Sequence, residues 1–293
     1  MAVVPARFTP CQNGGKMRIY DNHIHLSPTG MGVAAATLFE KAGGTAMMLT
    51  HIPPHDMPIA SVQDYEAAFR RTQDLADAVR RATKLKVYVA VGPYPVELIH
   101  LKETLGLEKA VAVQKGAMDL AGRLVSGGGV TAIGEIGRPH FPTDTDIIEA
   151  CNGILLHGMG VAKDCGCPVV IHSESATPAT CEEFARMADS VGLLREKVVK
   201  HFSPPLVRPE ENHGIMPSIL AKEEPVRKAI ENGGRFFMET DYIDDLKRPG
   251  AVLGPATVPK RTLALMRSGI MTEKMAREVH EEWPRRIYGI ETG

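Results

Sequence analysis

The chain has 293 residues, 44% hydrophobic and 24% charged, with a formal net charge of −1. This composition supports a sizeable core, excludes a fibrous or disordered chain, and lacks the basic excess typical of proteins that hold long nucleic acids. No apolar stretch approaches the ~20 residues that span a bilayer, and five scattered cysteines make no disulfide framework, so a cytoplasmic protein with no membrane partner is expected.

Residues 1–16 lack a signal-peptide core and are set aside as an N-terminal extension, leaving one domain over 17–293. The first strand begins at Arg18–Asp21, and a helix over Ala34–Ala42 closes at Gly43-Gly44. A second strand, Ala46–Leu49, leads through a Pro-rich loop to a charged helix over about 62–81. Lys86–Val91 reads as the third strand and Leu107–Leu124 as a helix. Three glycines then turn the chain into a fourth strand, Val130–Ile136. A helix at Ile147–Lys163 precedes the fifth strand, Pro168–Ile171, and Cys165-Gly166-Cys167 falls at that junction rather than forming a zinc ribbon. A helix at Cys181–Val191, a sixth strand at Lys197–Lys200, a weak seventh at Ile215–Pro217 and a helix at Glu223–Glu231 follow. Arg235–Glu239 is the eighth strand, and a helical tail over Thr262–Tyr288 carries the only tryptophan, Trp283. Strands separated throughout by helices imply a parallel sheet. Eight such units without a composition break predict a single α/β chain folded as a (β/α)₈ TIM barrel with a C-terminal helical tail. No G-x-G-x-x-G follows the first strand, which removes dinucleotide binding.

The chemistry lies at the strand ends. Alternation along a strand gives His23 and His25 a common face, and two imidazoles together make half of a divalent site. Acids or histidines recur where later strands stop: Glu135, His172, His201 and Asp241. Barrel active sites occupy that C-terminal face. A carboxylate suits a position shared by two metals, so Glu135 is the candidate bridge, with His23, His25 and Asp241 on one ion and His172 and His201 on the other. A water activated by two divalent ions would be the nucleophile, and Asp241 the proton shuttle; Glu135 and Asp241 are thus the catalytic candidates. Histidine–carboxylate ligands without cysteine accept zinc, the first expectation, or manganese, magnesium, nickel or cobalt. Arg138, His51, His140 and Glu174 are the candidate substrate residues. Lys200 neighbours His201 but points the other way, so it is no bridging ligand.

H-x-H, G-E-I-G, V-V-I-H, K-H-F-S and E-T-D, in this order, resemble the TatD-type metal-dependent hydrolases of the amidohydrolase superfamily, over about Arg18 to Ile290. The resemblance implies a (β/α)₈ fold, a binuclear metal centre and hydrolysis, of phosphoester (nuclease-type) bonds in the best-known members. It implies the same six ligands. The departures lie in the substrate shell: Glu174 stands where the family commonly has arginine, Pro139 where it often has an acid, and Ser203-Pro204-Pro205 where a glycine is usual. An acid at 174 repels a phosphodiester unless Arg138, Lys247 or Arg248 offsets it. The alternatives are an amidohydrolase or lactonase acting on a small metabolite, a mononuclear-metal decarboxylase on the same barrel, or a barrel kept as a binding scaffold. Either a small molecule or a short oligonucleotide is the expected partner.

Overall fold

The computed structural model describes residues 17–293; the extension over 1–16 lies outside the described residues. In chain order the elements are β1 Tyr20–His25, α1 Val33–Lys41, β2 Ala46–Thr50, α2 Val62–Ala82, β3 Lys86–Val91, α3 Glu97–Leu105, α4 Leu107–Ser126 and β4 Ala132–Gly137. The second half holds α5 Thr145–Cys165, β5 Val169–His172, α6 Pro178–Val191, β6 Val198–Lys200, α7 Pro209–Asn212, β7 Met216–Leu220 and α8 Glu223–Asn232. It ends with β8 Phe237–Glu239, β9 Tyr242–Ile243, α9 Thr257–Arg267, α10 Glu273–Arg277 and α11 Trp283–Tyr288.

All strand pairs are parallel and run in sequence from β1 to β8. The short β9 resumes just past β8 and pairs Tyr242 with Ile24 and Ile243 with His25. The ring therefore closes on β1, and the fold is the expected (β/α)₈ barrel.

Strand alternation divides the core in two. Ala46, Met48, Ala90, Ala132, Val170, Val199, Met216 and Phe237 fill the barrel interior. Met47, Leu49, Val87, Val89, Ile133, Val169 and Val198 face outward onto the helices. The interior closes at its lower end against α11, whose Ile287 and Tyr288 are buried there beside Tyr20 and Phe237. Trp283 packs on the same layer under the Arg235 guanidinium, as a packing residue should.

Four elements differ from expectation. The loop after β3 forms a helix of its own, α3, separated from α4 by Gly106 at φ 79°. Strand β7 extends to Leu220 because Ser218 and Leu220 pair with β8. The tail is not one helix: Ser268 and Gly269, at φ 74°, end α9, and Pro284 sits at the start of α11. Helix α6 starts earlier than its apolar pattern, because the Thr177 side chain accepts from Thr180 N and Pro178 suits the first turn,.

His280 ties this tail to the barrel. It is fully buried, with Nδ1 against the Tyr20 backbone and Nε2 2.9 Å from Thr262 Oγ1. Burial lowers its pKa from 6.5 to about 4. The folded state thus binds fewer protons than the unfolded chain, so this contribution is complete above about pH 6.5 and is lost as pH falls towards 4. At roughly 1.4 kcal/mol per pKa unit the loss amounts to about 3 kcal/mol. Urea denaturation at pH 7 and pH 4.5 is expected to show a smaller pH-dependent loss in His280→Asn than in the wild type; equal losses would remove the assignment.

Candidate metal centre

Five strands deliver the expected ligands to the upper end of the barrel. On β5 and β6 simple alternation suffices: Val170 and Val199 face the interior, and His172 and His201 follow two residues later. On β1 and β4 it does not. The register of β1 against β2 shifts between Asp21 and Ile24, and that of β4 against β5 between Gly134 and Ile136. Each irregularity changes which face the following side chains present. On β4, Ala132 faces in and Ile133 and Ile136 face out, so uninterrupted alternation would also turn Glu135 outward. The shift brings it into the site.

Glu135 lies at the centre. Its Oε1 is 2.7 Å from His201 Nε2, 3.3 Å from His23 Nε2 and 3.4 Å from His172 Nδ1, while Oε2 is 3.9 Å from His25 Nε2. His23 and His25 approach to 3.1 Å, as do His172 and His201. Asp241 Oδ1 stands 3.4 Å from His25 Nε2 and 3.9 Å from His23 Nε2. Three overlapping triads have metal-ligand spacing: His23–His25–Glu135, Glu135–His172–His201 and His23–His201–Asp241. All six expected ligands are brought together.

The donor chemistry fits divalent ions. Burial works against ionisation of Glu135, but the imidazoles of His201, His23 and His172 outweigh it and hold the carboxyl well below its ordinary value. Asp241 is likewise held low despite burial, chiefly by its hydrogen bond with His25. Burial keeps His23 and His172 below the ordinary imidazole value. Against the effect of burial, the same carboxylates raise His25, and raise His201 to about 10, so metal binding there would displace protons from these two imidazoles, whereas His23 and His172 already offer neutral ones,. His25 Nδ1 lies 3.0 Å from Thr50 O; donation there leaves Nε2 free as a ligand,.

Support residues that sequence reasoning did not single out complete the frame. The Asp21 carboxylate accepts from Thr240 N, Thr240 Oγ1 and His23 N, fastening β1 to the turn that carries Asp241. Asp241 itself adopts φ 46°, with its N–H donating to His23 O at 2.9 Å. Such a left-handed conformation at a non-glycine residue persists where surrounding bonds over-determine it. Glu239, fully buried, accepts from Phe202 N and Ser218 Oγ and stands 3.6 Å from His201 Nδ1. The signal for all of them was adjacency to a ligand motif, in D-N-H-I-H and E-T-D. Gly137 has a steric role: a Cβ there would stand 2.0 Å from His172 O, which accepts from Arg138 N.

The centre opens into a cavity of about 730 Å³, lined also by Tyr94, Glu97, His140, Phe202 and Val252. His140 Nδ1 reaches His172 Nε2 at 2.9 Å. The other candidate substrate residues lie outside this lining. His51 is buried rather than solvated, hydrogen-bonded to Thr72 Oγ1 and edge-on to Phe69. Arg138 forks onto Glu174 and Glu183 at 2.6–2.9 Å and stacks over Phe184. It balances Glu174, but a second carboxylate takes the same cation. Lys200 donates to His201 O and stays out of the ligand cluster. A neighbouring cavity of about 980 Å³ shares His25, His55 and Arg248 and adds Arg71 and Lys247. Among the described residues no helix is long and apolar enough to cross a membrane.

Comparison with known proteins agrees with this geometry. The family model for TatD related DNase matches residues 20–289. An uncharacterized protein of Methanocaldococcus jannaschii is 39% identical over 279 residues, covering 93% of this chain and 96% of that protein. The crystal structure of YjjV, a TatD homolog from Escherichia coli K12, superposes with a TM-score of 0.67 at 19% identity, over 94% of this chain and 100% of that one. A TatD-like protein from Archaeoglobus fulgidus gives 0.59 at 18% identity, over 92% and 100%. With its barrel and its converging histidine–carboxylate cluster, the chain belongs to the TatD family of metal-dependent hydrolases.

Proposed function

We propose that the protein hydrolyses an ester, amide or lactone bond of a small molecule with two divalent ions, zinc first among them, that share Glu135. The position of Glu135 carries this reading. Its carboxylate lies within 4 Å of both the His23–His25 pair and the His172–His201 pair, so one anion can serve two ligand sets. Ions held there would supply Lewis acidity and lower the pKa of an attacking water towards 7.

The protein's own residues do the rest. Asp241, ionised and lining the cavity, takes a proton from the attacking water and returns it to the leaving group,. The Asp21–Thr240 hydrogen bonds hold the Asp241 backbone in place while it does so. Ile52, Pro53, Pro54, Val96, Ile243 and Val252 give the cavity apolar walls that limit bulk water. His140 and Tyr94 border His172 in the cavity lining, where they can contact a bound substrate.

A phosphodiester of a short oligonucleotide is the second reading. The family's description as TatD related DNase favours it, as do Lys247 and Arg248 in the adjoining groove. Against it, the Arg138 cation is already matched by Glu174 and Glu183.

Elemental mass spectrometry of the purified protein, before and after chelation, tests the proposal, followed by a panel of phosphodiesters, phosphomonoesters, amides and lactones. Close to two transition metals per chain and chelator-sensitive turnover are expected. One metal would turn the reading to mononuclear chemistry, and none after zinc or manganese addition would end it.

A further inference from the structure

One carboxyl in the cavity takes no part in the metal cluster. Glu97, the first residue of α3, lines the same cavity of about 730 Å³ as Glu135, His172, His201 and Asp241. Its Oε2 accepts from the hydroxyl of buried Tyr65 at 3.0 Å, and Gln114 backs that hydroxyl at 3.5 Å. The carboxyl is therefore held from behind. Apart from Tyr65 and the nearby Tyr94 backbone N–H, no donor meets this carboxyl among the described residues, no cation pairs with it, and the side chain is half-buried.

The other acids around this end are matched. Arg138 serves Glu174 and Glu183, Arg248 serves Asp245, and Arg71 serves Asp56. Tyr94, Val96, Ile52 and Val252 of the same cavity offer no charge, and its one arginine, Arg248, is held by Asp245. An ionised carboxylate in such surroundings is costly without a partner, and burial lifts this one to about 7. A ligand bearing a cation would remove that cost. The volume suits a small molecule, since ligand cavities commonly span about 300–1,000 Å³.

We propose that Glu97 is a specificity residue that binds an ammonium group of the substrate, so that the protein acts on small amine-bearing molecules. This assignment rests on the hydrolase reading for what happens to the ligand, not for where the amine binds. A polyanion is a less suitable occupant, because it would meet Glu97 while the Arg248 cation of the same cavity is paired with Asp245.

Binding of hexylammonium and of neutral 1-hexanol to the metal-loaded protein at pH 8, followed by ligand-observed NMR, tests the proposal without turnover. The wild type is expected to prefer hexylammonium by about tenfold, the scale of one desolvated charge pair. Glu97→Gln, which keeps the shape and the Tyr65 contact, should bring the two probes to near-equal affinity with metal content unchanged. Tyr65→Phe, which leaves the carboxylate in place, should keep the preference. No preference in the wild type, or a preference retained in Glu97→Gln, overturns the assignment. Should Glu97→Gln fail to fold, Glu97→Asp is expected to weaken the preference severalfold, and an unchanged preference there also overturns it. A metal-loaded protein without ammonium preference sinks this inference alone. An ammonium preference in a protein that binds no metal sinks the hydrolase reading and leaves the Glu97 site standing.

Discussion

Glu135→Gln is expected to lower metal affinity by more than about a hundredfold and to empty both positions, not one. Loss of partners that merely orient metal ligands already costs roughly 10–100-fold, and Glu135 touches the cluster directly, with His201 Nε2 at 2.7 Å. The amide keeps the shape of the side chain but loses the charge that faces four imidazoles. Its NH₂ also places donors where ligands are needed. Metal per chain after dialysis against a weak chelator is the measurement, with circular dichroism to show that the barrel persists. Loss of half the metal would make Glu135 a ligand of one ion only. Unchanged stoichiometry would end its role as a bridge.

Asp241→Asn separates ligation from proton transfer. Asparagine tolerates the left-handed conformation seen at φ 46°,, so the turn and its N–H bond to His23 O should survive. The amide cannot accept a proton from water, and positioned proton transfer typically contributes about 10²–10⁴ in rate. Turnover measured at saturating metal should fall by that order. Recovery of wild-type kcat when metal is added in excess would reduce Asp241 to a ligand, and full activity at any metal level would remove it from the reaction.

The two substitutions probe residues that were legible in different ways. His172 and His201 end short apolar runs, Val169–His172 and Val198–Lys200 with its successor, and alternation alone carries them inward. Asp241 lies two residues beyond Glu239 and four beyond inward-facing Phe237, so its side was readable too. Glu135 was picked out by its place in G-E-I-G, yet strict alternation points it at the helices; the register shift of β4 against β5 turns it into the cluster. Local sequence does not show such a shift, because it depends on how the neighbouring strand pairs.

The substrate shell was hardest to read. Arg138 looked available as a phosphate contact, and only the approach of α6 through Glu183 showed that its charge is taken. His51 follows a strand and stood as a substrate candidate, but Thr72 and Phe69 of α2 enclose it. Glu97 gave no signal at all, since nothing in its vicinity of the chain reveals that it lines the same cavity as the metal centre.

The amino-acid sequence alone specifies the alternating βαβ architecture, the closed parallel barrel and the six candidate ligands. Those follow from periodicity and from residue type at strand ends, which are properties of short stretches of chain. Only the folded chain sets which way Glu135 faces, which charges are spent on each other and which carboxyl remains without a cation. These are settled by contacts between residues far apart along the chain, such as Asp21 with Thr240 and Arg138 with Glu183, and the energy of a buried charge depends on those contacts rather than on its sequence neighbours.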